Sequence, residues 1–134
     1  MSLLHQELSD KILRAFFNVY NTLGYGFLEK VYENALFIEL KSLNIYCERQ
    51  KPIEVYFKSE KVGDYYADIV VENKIILELK AAESLVPEHE AQLLNYLKAT
   101  EIEVGFLLNF GKKPEFKRMI LENKLKSVNL RNIR

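Results

Sequence analysis

A single cysteine, Cys47, among 134 residues excludes an internal disulfide, a cysteine-ligated zinc site and an iron–sulfur cluster. It reads as a strand residue. No apolar run approaches the roughly 18 to 20 residues of a membrane helix. The start, Met1-Ser2-Leu3-Leu4-His5-Gln6-Glu7, lacks the basic-then-apolar order of a signal peptide. The expectation is a cytoplasmic protein without a membrane partner. Zinc finger, P-loop, reader helix, internal repeat, low-complexity segment and linker are all missing, so the chain reads as one domain over residues 1–134. Net charge is missing too, with 19 basic and 19 acidic side chains. The distribution is uneven, because residues 111–134 hold 8 basic and 2 acidic groups while the remainder is net negative. Lys112, Lys113, Lys117, Arg118, Lys124, Lys126, Arg131 and Arg134 therefore form a positive tail suited to phosphate, or simply a solvated C-terminus.

The patterning predicts a mixed α/β fold. Leu4, Leu8, Ile12, Ala15/Phe16, Val19 and Leu23 recur at helical spacing over residues 3–23, and Gly24-Tyr25-Gly26 stops the helix. A second helix is expected over residues 28–43, with Leu28, Val31, Ala35 and Ile38 on one face and Glu29, Tyr32/Glu33 and Leu36 on another, closed by Asn44. Strand-like segments follow over 53–58, 64–72 and 74–81, with turns at Ser59 to Gly63 and at Asn73, making a three-strand antiparallel meander. Pro87, Glu88 and Glu90 open a crossover helix that ends near Thr100. That helix leads to a buried, central strand over 103–110. Beyond Gly111 the pattern fits a strand through Phe116 to Leu121 or a short helix.

Acid-any-lysine is a common triplet here, occurring at Glu39/Lys41, Glu72/Lys74, Glu78/Lys80, Glu115/Lys117 and Glu122/Lys124. Only Glu78/Lys80 ends a continuous apolar strand, where unpartnered charge is costly. If Glu72-Asn73-Lys74 is a three-residue loop, paired residue numbers sum to 146 and Asp68 stands opposite Glu78. A two-residue loop would turn Asp68 away. Adjacent carboxylates repel unless a hard divalent cation lies between them, and an ammonium on the same face is what phosphodiester hydrolysis uses. The plainer alternative is a salt bridge from Lys80 to one of the acids.

Gly26-Phe27-Leu28-Glu29-Lys30-Val31-Tyr32 resembles the signature of the GxxExxY proteins, a branch of the PD-(D/E)-x-K nuclease superfamily. The likeness continues through Gln50-Lys51-Pro52-Ile53, Ala67-Asp68, Glu78-Leu79-Lys80-Ala81, residues 89–97 and residues 105–111, covering nearly the whole chain. The superfamily's proline before the first acid is absent, with Tyr66 and Ala67 in its place. The resemblance implies a restriction-endonuclease-like core in which Asp68, Glu78 and the Leu79 carbonyl hold Mg2+ or Mn2+. Lys80 would orient or deprotonate the attacking water, and Glu29 would be a remote acid reaching the metal or its water. A plain helix-dipole role also explains Glu29. Gln92 and Tyr96 are similar to the Gln-x-x-x-Tyr motif of RecB-like nucleases, and His89 joins their helix face. Tyr32 and Gly26 read as structural.

The leading expectation is a metal-dependent DNA nuclease that uses activated water, with RNA as the alternative nucleic-acid partner. Lys112, Lys113, Lys117 and Arg118 would contact nucleic acid, and a homodimer would let both strands of a duplex meet a site. Other classes fit the same residues: an inactive nuclease fold serving as a nucleic-acid-binding or protein-interaction module, or a hydrolase of small phosphoesters.

Overall fold

The computed structural model describes residues 4–126. Its elements are α1 (Gln6–Leu23), α2 (Glu29–Ser42), β1 (Cys47–Phe57), β2 (Glu60–Val71), β3 (Ile75–Lys80), α3 (Pro87–Lys98), β4 (Val104–Phe110) and β5 (Pro114–Ile120). A single 3-10 turn, Asn123–Leu125, follows. The five strands lie in sequence order, antiparallel except for the parallel β3/β4 pair that α3 connects. No helix among the described residues is long and apolar enough to cross a membrane.

The sheet has helices on both faces, which is why β3 reads as a nearly continuous apolar run. Ile75, Leu77 and Leu79 pack with α1 and α2, whereas Ile76 packs with Leu93 and Leu97 of α3. The larger core centres on Phe16, Tyr32 and Phe110, with Tyr32 stacked on Phe110 at 4.3 Å between ring centroids. Of the two apolar stripes on α2, the buried one is Tyr32, Leu36 and Leu40, while Leu28 and Ile38 face outward. Asn44, left-handed at φ 62°, ends α2, with Ile45 N–H donating back to the Leu40 carbonyl.

Two expectations change and one open choice is decided. The first hairpin turns at Lys58-Ser59, both left-handed, rather than over Ser59 to Gly63. Gly63 lies within β2 beside a bulge at Val55/Tyr56. Such two-residue turns need positive φ at both centres, so hairpin geometry overrode a pair of residues that rarely adopt it. Strand β1 begins at Cys47, which is buried, and tolerates Pro52 because it is an edge strand. The segment beyond Gly111 is a strand.

Part of the basic tail is structural. Lys126 is buried, and its Nζ donates to the carbonyls of Thr100 at 2.9 Å and Ile102 at 2.7 Å, tying the segment after β5 to the exit of α3. Arg131 and Arg134 lie outside the described residues. Replacing Lys126 by Met is expected to lower stability by about 1–3 kcal/mol, because two part-buried carbonyls lose a charged donor. Urea unfolding measures it, and an unchanged midpoint would remove this role.

Candidate active site

The site begins where β2 and β3 part. Their ladder pairs Val71 with Ile75, Val70 with Ile76 and Ile69 with Leu77, the register that a three-residue loop at Glu72-Asn73-Lys74 requires. Glu72 and Asn73 are both left-handed, and Lys74 N–H donates to the Val71 carbonyl at 2.8 Å. The next pair on this register is Asp68 and Glu78, and there side chains replace the backbone rungs. Asp68 N–H donates to Glu78 Oε2 at 2.9 Å, and Leu79 N–H donates to Asp68 Oδ2 at 2.8 Å. Each carboxylate is thus pinned by the main chain of the opposite strand.

Pinning both acids in a half-closed space is electrostatically costly. Burial, then the neighbouring Asp68 charge, pushes the Glu78 carboxyl up to about 8. Burial, then the charge of Glu33, raises Asp68 as well. Lys80 acts in the opposite direction on both. No salt bridge joins Lys80 to either acid among the described residues; its Nζ lies instead 3.5 Å from Gln92 Oε1. Gln92 Nε2 in turn donates to the Tyr96 hydroxyl at 2.9 Å. Four-residue spacing on α3 puts the amide and the phenol in one line with the lysine. His89 is turned away from this line, its Nδ1 accepting from Val86 N–H at the start of its own helix.

Glu29 occupies the first turn of α2, is exposed and makes no hydrogen bond among the described residues, yet its charge contributes to raising Glu78. One turn later stands Glu33, which sequence reasoning left out of the site. Its buried carboxylate takes Lys30 Nζ at 3.1 Å and Gln50 Nε2 at 2.8 Å, with Arg49 Nε at 3.6 Å. The available signal was an acid on the buried Tyr32/Leu36 stripe, four residues from Glu29. Gln50, also missed, interrupts the β1/β2 pairing in a left-handed conformation at φ 50°. Its Nε2 lies between Glu33 and Asp68, 3.5 Å from Asp68 Oδ1. Because the Glu33 carboxylate accepts only hydrogens, it holds the amino end of this amide toward the acids.

The loop leaving β3 is fixed from β4. Buried Asn109 accepts from Ala82 N–H at 2.9 Å and donates to the Ala82 carbonyl at 3.0 Å and to Glu115 at 3.1 Å. Gly111 completes this contact, since any side chain there would collide with the Ala82 carbonyl oxygen. Among the four expected nucleic-acid contacts, exposed Lys112 shares a cleft of about 350 Å³ with Glu29, Phe27 and Ala82. Lys117 is exposed on the strand rung that runs from Glu78 through Leu107, two strands away, or roughly 10 Å at ordinary strand spacing. Lys113 is exposed before β5, and Arg118 donates to the Leu4 carbonyl at 2.8 Å.

The donor set fits a hard divalent cation. Asp68 and Glu78 offer only oxygens, each has one oxygen outside the backbone clamp, and their mutual repulsion falls when positive charge enters between them. No cluster of three acidic, histidine or cysteine side chains around one point occurs among the described residues.

Comparison with known proteins agrees with the topology. The crystal structure of SSO0001 is similar at a TM-score of 0.53 and 20% identity, over 69% of this chain and 50% of that one. The likeness is one of fold, and this chain spans half the length of that protein's chain. No curated protein matches. The mixed sheet with helices on both faces is a restriction-endonuclease-like fold. A family model described as the PD-(D/E)XK nuclease superfamily matches residues 6–119, from the first helix to the last strand, and the chain belongs to that superfamily.

Proposed function

We propose that this protein is a divalent-metal-dependent nuclease that hydrolyses phosphodiester bonds in DNA by activated water, without a covalent enzyme intermediate. One observation carries the reading: Asp68 and Glu78 are each clamped by the opposite strand's backbone, with Lys80 beside them and held toward α3. Asp68, Glu78 and the Leu79 carbonyl would hold Mg2+ or Mn2+, which supplies charge neutralisation on the phosphate and a more acidic water. Lys80 would orient or deprotonate the attacking water and offset charge growing on the phosphate in the transition state. Gln92 positions Lys80, and Tyr96 positions Gln92. Gln50 steadies Asp68, while Glu29 adds negative charge at the α2 side of the site. We assign the chain to the GxxExxY branch on residues 26–32, with Tyr32 as the ring that closes the loop before α2 by donating to the Gly24 carbonyl at 2.6 Å.

Lys112, Lys113 and Lys117 would contact the phosphate backbone, and Arg118 would do so at the far side of β5. A homodimer would bring two such sites to a duplex. The test is purified protein with magnesium or manganese against single-stranded, duplex and branched DNA and against RNA, at two salt concentrations. Cleavage that needs the metal and binding that weakens with salt are the expected results. Absence of cleavage together with absence of metal binding would replace this reading with the non-catalytic module.

A further inference from the structure

Beside the Gln92/Tyr96 pair, a cleft of about 420 Å³ opens between α3 and the arm of the β1/β2 hairpin. Val55 and Tyr65 line it from the hairpin, and Ala91, Gln92, Asn95 and Tyr96 line it from the helix. Nothing in the hydrolytic chemistry requires a cleft here, nor Val55 or Tyr65. The Tyr65 ring is 48% exposed and meets Tyr96 at a 47° tilt with 5.8 Å between centroids, so the two rings are not stacked flat on each other.

We infer that this cleft takes an unpaired nucleobase adjoining the scissile phosphate, which makes single-stranded or locally opened nucleic acid the preferred substrate. The inference rests on the nuclease reading and names its substrate class. Three observations support it. The cleft shares two residues with the line that ends at Lys80, because Gln92 lines it while its Oε1 lies 3.5 Å from Lys80 Nζ, and Tyr96 lines it while accepting from Gln92 Nε2. The lining chemistry also suits a flat heteroaromatic ring. It has aromatic and aliphatic walls, the carboxamides of Gln92 and Asn95 for a base edge, and one acid against one base, Glu88 and Lys98, at its margin. Such balance gives no reason for a phosphate to enter. Finally, the volume lies in the range of small-ligand pockets. A paired base is stacked on both faces and enters only after costly extrusion, so the cleft selects strands whose bases are already free.

The test uses full-length protein without divalent metal, so that the probe stays intact. Single-stranded and duplex oligonucleotides carrying 2-aminopurine are titrated while fluorescence and anisotropy are read. The expected result is quenching of the single-stranded probe, with roughly tenfold weaker binding in Tyr65→Ala, retention in Tyr65→Phe, and unchanged duplex binding in all three. Ala91→Leu, which fills the cleft from an exposed helix position, should reproduce Tyr65→Ala. Equal single-strand binding by wild type and Tyr65→Ala overturns the inference, as does an equal loss on both probes. A change of oligomeric state in Tyr65→Ala with nucleic-acid binding intact would assign the cleft to a second copy of the chain and overturn it too. Because the readout is metal-free binding, a protein that cleaves without using Tyr65 sinks only the cleft. One that binds through Tyr65 without ever cleaving sinks only the hydrolytic reading.

Discussion

Glu78→Gln is expected to lower metal-dependent cleavage on the order of a thousandfold while making the metal-free protein more stable at alkaline pH. The two effects share a cause. The amide keeps the shape and an oxygen for Asp68 N–H, but it removes the charge that attracts the cation and repels Asp68. The Glu78 carboxyl sits at about 8 in the fold against an ordinary value of 4.5, so between these limits the folded protein keeps a proton that the unfolded chain has lost. Stability is therefore full below the ordinary carboxylate range and falls as pH rises toward 8, by roughly 4 kcal/mol if Glu78 acted alone. Asp68, raised as well, adds to the fall with the same sign. Urea unfolding from pH 5 to 9 should show this decline in wild type and a flatter profile in Glu78→Gln. Magnesium or manganese should restore wild-type stability at pH 8 and do little at pH 5. Parallel profiles for the two proteins would show that Glu78 is not the strained group.

Lys80→Met should reduce kcat by about a hundredfold to a thousandfold with little change in KM or in metal-linked stability. Methionine reproduces the half-buried aliphatic stem and removes the ammonium that faces Gln92. Arginine retains charge but spreads it over a planar fork, which does not fit a single acceptor 3.5 Å away, so Lys80→Arg should recover only part of the rate. Single-turnover cleavage separates these outcomes. Wild-type turnover in Lys80→Met would remove the lysine from the chemistry.

Much of this architecture was legible because burial leaves a pattern. Ile75 to Leu77 read as an apolar strand, and the charge of Glu78 at its end called for a partner, either Lys80 in a salt bridge or a second acid sharing a cation. Loop parity then placed Asp68. The missed residues depend on backbone irregularity and tertiary contact rather than on periodicity. Gln50 faces Asp68 because its left-handed backbone breaks the alternation of β1, which a strand pattern cannot reveal. Glu33 looks like an ordinary helix acid until Gln50 and Arg49 close over it. Lys126 counted as tail charge, although its ammonium is spent on two carbonyls of the main chain.

The carboxylates of Asp68 and Glu78 stand where sheet rungs would otherwise be, and that makes two particular amides unusual. The N–H groups of Asp68 and Leu79 are bonded to acceptors whose charge changes with protonation and would be offset by a bound cation. Their 1H and 15N chemical shifts are therefore built-in reporters. A titration followed by nuclear magnetic resonance would read the occupancy of each carboxylate at the opposite strand's amide, before any substrate is known.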